Sequence, residues 1–345
     1  MKLECFDDVL ASIRKNPKRQ FNILLGNGFS VAYDSKIFSY NALHDFVKRL
    51  KDKDLSTILG VIETRNFEVI MQYIDHFSAL ITAFGGDPEL KKRVDAASAK
   101  LKTSLLDSVK VLHPEHVFQV PEDQSKACAT FLKTFVATGG KLFSTNYDLL
   151  LYWVLMRNSL FKHVDGCGRE LENDTGDYIK PENQIWSDLI WGKYRDDQNV
   201  FYLHGALPFF DNGVAVVKEE YTVYNYLLEN IGARMEKGEY PIFVTAGDGQ
   251  QKLKHITHNQ YLTYCYDRFC QAEGSLVTYG FGFGPYDEHI IAAINKAAKQ
   301  KPQNKLWSLY IGVYSDEDMK HIEHIEGKFH CKVHVYDAKT AKVWG

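Results

Sequence analysis

An α/β fold is what this sequence predicts: a Rossmann-like parallel sheet with helices on both faces and a large helical insertion after the first strand. Three observations predict it. Short apolar runs end in small or polar residues at FNILLGNGFS (21–30), LFSTNYD (142–148), FYLHG (201–205) and LVTYGFGFG (276–284). Helical apolar stretches follow such runs, as in LLLYWVL after Asp148, and this alternation builds parallel sheets. Between the first two runs, apolar residues recur at spacings of three and four over about 39–137, far more chain than the roughly dozen residues a parallel crossover requires. Strand ends of an open parallel sheet converge on one crevice where ligands bind, so a site is expected at those four ends.

In chain order, Phe6, Leu10 and Ile13 give 3–15 the period of a short leading helix. Residues 21–25 form the first strand, closed by Gly26-Asn27-Gly28. In the helical block, Leu43, Phe46, Val47 and Leu50 make one stripe, and Val69, Ile70, Tyr73, Ile74 and Phe77 another, with Asn66 placed to cap it. Met71, Tyr73 and Phe77 are expected in the core. Gly85-Gly86-Asp87-Pro88 precedes a further helix over 89–111, His113-Pro114 ends it, and 124–137 is the next. Strands are expected at 141–144, 201–203, 241–245 and 275–279, and helices at 219–235, 260–272 and 287–299. Phe209–Val214 reads as a hairpin, because Asn212-Gly213 suits the positive φ angles of a type I′ turn. Asp165-Gly166-Cys167-Gly168 is a loop, and the polar segment 169–200 receives no element. Residues 306–313, 316–326 and 332–336 close the chain as strand, helix and strand. No internal repeat interrupts this plan, so one domain is expected over 1–345, with 39–137 as a helical cap inside it.

Composition narrows the function classes. The 345 residues are 45% hydrophobic, enough for a sizeable core, and the formal net charge is −3. Lys and Arg are scattered, which argues against an electrostatically driven nucleic-acid binder. No run reaches the length of a membrane span, and MKLECFDDVL carries acids where a signal peptide carries bases. A cytoplasmic protein is expected. Cys5, Cys128, Cys167, Cys265, Cys270 and Cys331 are widely spaced and form no C-x-x-C pair, so free thiols are expected and no zinc module.

The four strand ends hold the polar candidates. Gly26-Asn27-Gly28 with Ser30 departs from the dinucleotide fingerprint at Val31 and suits either a phosphate loop or a plain turn. Asp45 lies in a helical pattern and is not assigned to a ribose. Thr145, Asn146 and Asp148 either face the crevice or cap the helix that follows. His204-Gly205 is a candidate general base with glycine giving access, or a structural histidine. Gly280, Gly282 and Asp287 form a second glycine-rich end, where Asp287 binds a ligand or caps its own helix. The pairs His255/His258 and His321/His324 lack a third ligand, and no metal is expected.

Together these pieces resemble the sirtuin family. GNGFS is similar to the sirtuin Gly-Ala-Gly-x-Ser turn, with Asn27 in place of Ala. STNYD resembles the Thr-Gln-Asn-x-Asp motif without its Gln, LHG matches the strand-end His-Gly, and 280–284 with Asp287 resembles the later NAD-contacting turn. The order also agrees. TNYDLLLYW, DGCG, YLHGAL, the 244–263 stretch and GFGPYDEHI look like a bacterial sirtuin-like family over most of residues 20–300. The missing C-x-x-C module and the helical block after the first glycine turn set the chain apart from sirtuin deacylases. They resemble instead the NAD-hydrolysing effectors of bacterial anti-phage defence.

The resemblance implies that NAD is the substrate. It implies that Gly26, Asn27, Gly28 and Ser30 cradle the diphosphate beside Thr145, and that Gly280, Gly282 and Asp287 contact the adenosine half. Asn146 would orient water or the ribose hydroxyls, Asp148 would contact the nicotinamide amide or adjacent ribose, and His204 would accept a proton. The alternatives are a protein deacylase or ADP-ribosyl transferase, and a non-catalytic module sensing NAD or ADP-ribose. Control is expected through self-association or a regulatory partner protein, with the helical block as contact surface.

Overall fold

Seven strands pair in parallel, in the order β1 (Leu3–Glu4), β12 (Lys332–Asp337), β11 (Leu306–Val313), β10 (Gly274–Tyr279), β2 (Phe21–Leu25), β3 (Leu142–Ser144), β6 (Val200–Tyr202). The computed structural model describes residues 3–16, 19–34, 51–62, 67–244, 249–301 and 305–345. The stripe at 43–50, Asp45, the Asn66 cap and Thr245 at the end of the expected 241–245 strand lie outside them.

Every residue of β2, β3, β6 and β10 is buried, which a parallel sheet requires when both its faces are covered. Phe21 meets Phe135 of α6 (Glu122–Val136), whereas Phe143, level with Leu24 on the other side of the pleat, meets Phe269 of α10 (Gln260–Phe269). Helices therefore cover both faces. Asn22 is the buried polar exception in β2. Its amide donates to the Glu273 and Ser275 carbonyls and accepts from the Lys141 N–H, tying the starts of three neighbouring strands.

Two expectations about the order of elements are corrected. A two-residue strand, β1, precedes α1 (Phe6–Arg14), so the helical block follows the second strand. A strand so short has no periodicity to read, and only its pairing with β12 defines it. Cys167–Gly168 of the loop expected at 165–168, Leu189–Trp191 of the unassigned segment and the strand at 241 belong to a second sheet, antiparallel, in the order β4 (Cys167–Gly168), β5 (Leu189–Trp191), β8 (Val216–Lys218), β7 (Gly205–Asp211), β9 (Pro241–Phe243). The β7–β8 hairpin forms, but through the connection 212–215. There the Asn212 side chain accepts from the Val214 and Ala215 N–H groups, which makes a longer loop than a two-residue turn. The helix expected at 219 starts as α8 at Leu227–Glu236. The Thr222 hydroxyl captures the Tyr224 and Asn225 N–H groups first, a local bond that competes with helix.

The helical block comprises α2 (Gly28–Tyr33), α3 (Lys53–Ile62), α4 (Phe67–Ala83) and α5 (Pro88–Leu112). Leu55, Ile70, Ile74, Ile81 and Leu101 join the same hydrophobic core as both sheets. Tyr73 and Phe77 do not: they are 59% and 49% exposed. Phe77 lies at helical spacing from the buried Ile74 and Ile81, but it and Tyr73 line an open groove between α3, α4 and α5. The remaining helices are α7 (Leu150–Arg157), α9 (Gly249–His258), α11 (Glu288–Ala298) and α12 (Asp316–Ile325). No described helix is long and apolar enough to cross a membrane.

Candidate functional site at four adjacent strand ends

The four motif-bearing strands, β10, β2, β3 and β6, are consecutive neighbours, and their ends are level. Tyr279 pairs with Leu25, Leu25 with Ser144 and Ser144 with Tyr202. The next residue of each strand is Gly280, Gly26, Thr145 and Leu203. Gly26 N donates to Tyr279 O (3.0 Å), Thr145 N to Leu25 O (3.0 Å) and Leu203 N to Ser144 O (2.8 Å). The loops that begin there share one edge of the sheet.

The glycine turn is held against the end of β10. Gly28 N donates to Gly280 O at 2.8 Å, and the N–H groups of Phe29, Ser30 and Val31 bond back to Gly26 and Asn27 carbonyls. Among the described residues no protein acceptor takes the Asn27 N–H. A Cβ on Gly26, Gly28 or Gly280 would lie 2.5 Å from backbone atoms of the facing turn. Packing of two turns is therefore reason enough for these three glycines. Gly282 differs: it is exposed, and an added Cβ would meet nothing within 4 Å.

Ser30, Asn146 and Asp148 are all buried and make one network. Asn146 Nδ2 donates to Ser30 Oγ at 3.0 Å, and Ser30 Oγ donates to Asp148 Oδ2. Ser30 thus faces its neighbours rather than an open phosphate site. Asp148 Oδ1 accepts from Leu150 N, the first N–H of α7, at 3.0 Å, as the helix-start reading of its position expects. Asn146 does not cap; its own N–H takes Ser144 Oγ at 3.0 Å. Thr145 Oγ1 reaches Leu25 O at 3.3 Å.

Two further histidines, without a site role in the sequence reading, join this arrangement. His113 Nε2 accepts from Leu149 N (2.9 Å) and its Nδ1 donates to Pro114 O (2.8 Å), a set that only the neutral ring can satisfy. Burial lowers its pKa against the pull of the Asp148 charge, and burial likewise raises Asp148 against the pull of His113. His289, in the first turn of α11, places Nε2 at 2.8 Å from His204 Nε2, with ring centroids 5.0 Å apart and planes at 26°. One ring donates and the other accepts, so the pair is neutral and holds complementary tautomers. His204 is pushed well below 6.5 by burial, then by His289, Lys252 and His255; His289 is pushed to about 3 by burial, then by Lys252. Buried Lys252 donates to Asp287 Oδ1 (3.1 Å), while Asp287 Oδ2 accepts from Gly284 N (3.1 Å). Asp287 therefore pins the glycine-rich turn to α9; its side chain does not cap α11. His204-Gly205 is also where the chain leaves one sheet for the other. Gly205 has φ +78°, and a Cβ there would lie 1.8 Å from Ile242 O. That contact, rather than access to a ligand, demands the glycine.

These histidines set a pH dependence. A folded-state pKa below the unfolded value means that folding releases protons. Stability from His113, His204 and His289 is then complete above about 6.5 and declines as pH falls, by about 1.4 kcal/mol per unit for each proton taken up. Asp148, raised in the fold, acts in the opposite sense but is one group against three. The thermal midpoint is expected to fall steeply from pH 7.5 to 5, less so in His113→Gln. A midpoint flat over that range would mean these rings are not held neutral.

Among the described residues no group of three or more His, Cys, Asp or Glu is placed to hold a metal. Two cavities are lined by none of these candidate residues: a groove of about 440 Å³ between α3, α4 and α5, and a polar cavity of about 320 Å³ beside α7. Volume and chemistry disagree here. The larger groove is lined mainly by Ile58, Val61, Ile62, Ile74, Phe77 and Val94, its charged pair Asp54–Arg93 being an exposed ion pair, so the strand ends remain the better candidate for chemistry. A protein-family model described as a domain of unknown function (DUF4917) matches residues 23–344. No curated protein matches the chain.

Proposed function

The chain belongs to the family described as DUF4917, and we propose that it is an NAD glycohydrolase, cleaving NAD to nicotinamide and ADP-ribose. One observation carries the proposal: the Asn146–Ser30–Asp148 network and the His204–His289 pair stand on the adjacent strands β3 and β6, at the same edge of the sheet. The sirtuin-like order of motifs supports NAD as the substrate.

Nicotinamide in NAD is a cationic leaving group, so the enzyme needs no strong general acid. The bond from the anomeric carbon to the pyridine nitrogen breaks, its electron pair neutralises the ring, and water oxygen bonds to the oxocarbenium-like carbon. The water's proton must go to a base. His204 receives it, and His289 across 2.8 Å shares the charge. Asn146 orients the water or the ribose hydroxyls, since Ser30 fixes its amide nitrogen and leaves the amide oxygen to act. Asp148 lies deeper than the notion of a direct nicotinamide contact requires, and its role is to hold Ser30 and α7. Asn27 and the open face at Gly282 are the contacts for the diphosphate and adenosine half.

Incubating the purified protein with NAD, with and without an acyl-lysine peptide, tests the proposal. Peptide-independent nicotinamide release is expected. Release only with peptide supports a deacylase or transferase, and binding without turnover supports a sensing module. Control through the helical block is part of the same reading, because Tyr73, Phe77, Leu80 and Phe84 expose apolar surface there. Light scattering should then find an oligomer or a partner complex, and a fully active strict monomer would exclude that control.

Ser30→Ala is expected to cost about 2–3 kcal/mol of stability, because it strips a buried carboxylate of its hydroxyl donor, and to slow NAD cleavage through the loosened Asn146. Denaturant unfolding and single-turnover kinetics on one preparation check both. Unchanged turnover alongside lost stability would confine Ser30 to the fold.

A further inference from the structure

We propose that the cavity beside α7 is a second binding site, for a small uncharged nitrogen heterocycle of the size of a nucleobase. The DGCG loop at 165–168 has no part in the strand-end chemistry, and this cavity accounts for it. A cavity of about 320 Å³ lies between α7, the 162–167 segment, β6 and the end of β8, lined among others by Tyr152, Asp165, Cys167, Tyr194, Tyr202 and Lys218. That volume is at the small end for ligand pockets, about 300–1,000 Å³. The site is independent of the NAD reading, and none of the residues assigned to NAD lines it.

The lining is built rather than incidental. Lys218, 8% exposed, donates Nζ to Asp165 Oδ2 at 2.5 Å, and Asp165 Oδ1 accepts from Cys167 N at 3.1 Å. The same ammonium lies 4.5 Å from the centroid of the Tyr152 ring. Burial works against the Lys218 charge, but Asp165 outweighs it and holds the ammonium above its ordinary range. A buried ion pair is weak support for stability, since apolar residues of like volume often serve as well. At a cavity wall it has another use: an ammonium has three donors, and Asp165 takes one.

Further polar groups face the same space. Tyr152 and Tyr202, 6% and 1% exposed, both line it. His163 Nδ1 is buried without a hydrogen-bond partner among the described residues. Leaving such a group unpaired is costly, and a ligand carrying several acceptors and a donor meets these groups together. Charge decides the class. Lys218 and Asp165 cancel each other at the floor, and Lys162 with Asp197, 3.6 Å apart, cancel at the rim. A free anion or cation gains no net attraction there. Aromatic walls from Tyr152, Tyr194 and Tyr202 favour a flat ring.

Titration of the full chain with adenine, hypoxanthine, cytosine and uracil, followed by calorimetry and ligand-observed NMR, tests this. At least one base is expected to bind saturably, with a dissociation constant between roughly 10 µM and 1 mM. Tyr152→Phe and Tyr202→Phe remove only a hydroxyl and should each weaken binding by about three- to tenfold. Asn146→Ala should leave this binding intact, which separates the cavity from the strand-end site and from the fate of the NAD proposal. Saturable binding by none of the four bases overturns the inference. So does binding that both tyrosine variants keep unchanged, or that only Asn146→Ala abolishes.

Discussion

Asn146→Ala and His204→Ala are each expected to lower the rate of the proposed NAD cleavage by about 10²-fold or more, the usual scale for a positioned acid–base group. The expectation follows from geometry. Asn146 is fixed by Ser30 and His204 by His289, so each truncation removes a preorganised group. NAD affinity should change much less than the single-turnover rate, because neither side chain is assigned to the diphosphate. Groups serving one step are not additive, so the double variant should lose little beyond the worse single one. Stability separates this from a purely structural role. Losing the Asn146 side chain costs about 1–2 kcal/mol through its bond to Ser30, and a structural role would leave turnover per folded molecule unchanged. His204→Ala also orphans a buried His289. His289→Gln should therefore keep part of the rate if His289 only supports its partner. Thermal midpoint, NAD affinity and single-turnover rate decide together. Folded variants that cleave NAD at the wild-type rate would remove both residues from the mechanism.

Much of the main sheet was legible because its strands are buried on both faces and read as apolar runs with polar ends. The second sheet was not. Cys167–Gly168 and Leu189–Trp191 are too short for period-two patterning, and each is defined by a partner distant in sequence. The positions of Asn146, Asp148 and His204 at strand ends were readable, but their partners were not. Ser30 meets Asp148 across 118 positions, and His204 meets His289 across 85. His113 read only as a helix breaker, since its bond to Leu149 spans 36 positions. His289 offered one local signal, a histidine directly after Asp287-Glu288 at a helix start. Exposure of Tyr73 and Phe77 was lost for a different reason: an apolar stripe gives the helix face but not whether the helices around it close over it, and here a groove stands open there.

Gly280→Ala is expected to destabilise the protein by about 3 kcal/mol or more, a large effect for one methyl group. Gly280 has φ +66°, a conformation that side chains rarely adopt, and its added Cβ would lie 2.5 Å from the C and Cα atoms of Gly28 and the N of Phe29. Those are backbone atoms, so no rotamer change relieves the clash. Either the β2 turn moves, breaking the Gly28 N to Gly280 O bond of 2.8 Å, or β10 ends differently. Gly28→Ala meets the same obstacle from the other side, with Cβ 2.5 Å from Gly280 Cα. A role confined to phosphate approach forecasts something else, namely normal stability with weakened NAD binding. Gly282→Ala provides the contrast. Its site is open, and reduced freedom of the unfolded chain should leave stability equal or higher by up to about 1 kcal/mol, so any loss of NAD affinity there reports ligand contact alone. Chemical unfolding of the three variants, with NAD titrations on each, distinguishes packing glycines from binding ones. Should Gly280→Ala prove as stable as Gly282→Ala, the two turns are not in backbone contact, and Gly26, Gly28 and Gly280 return to the ligand.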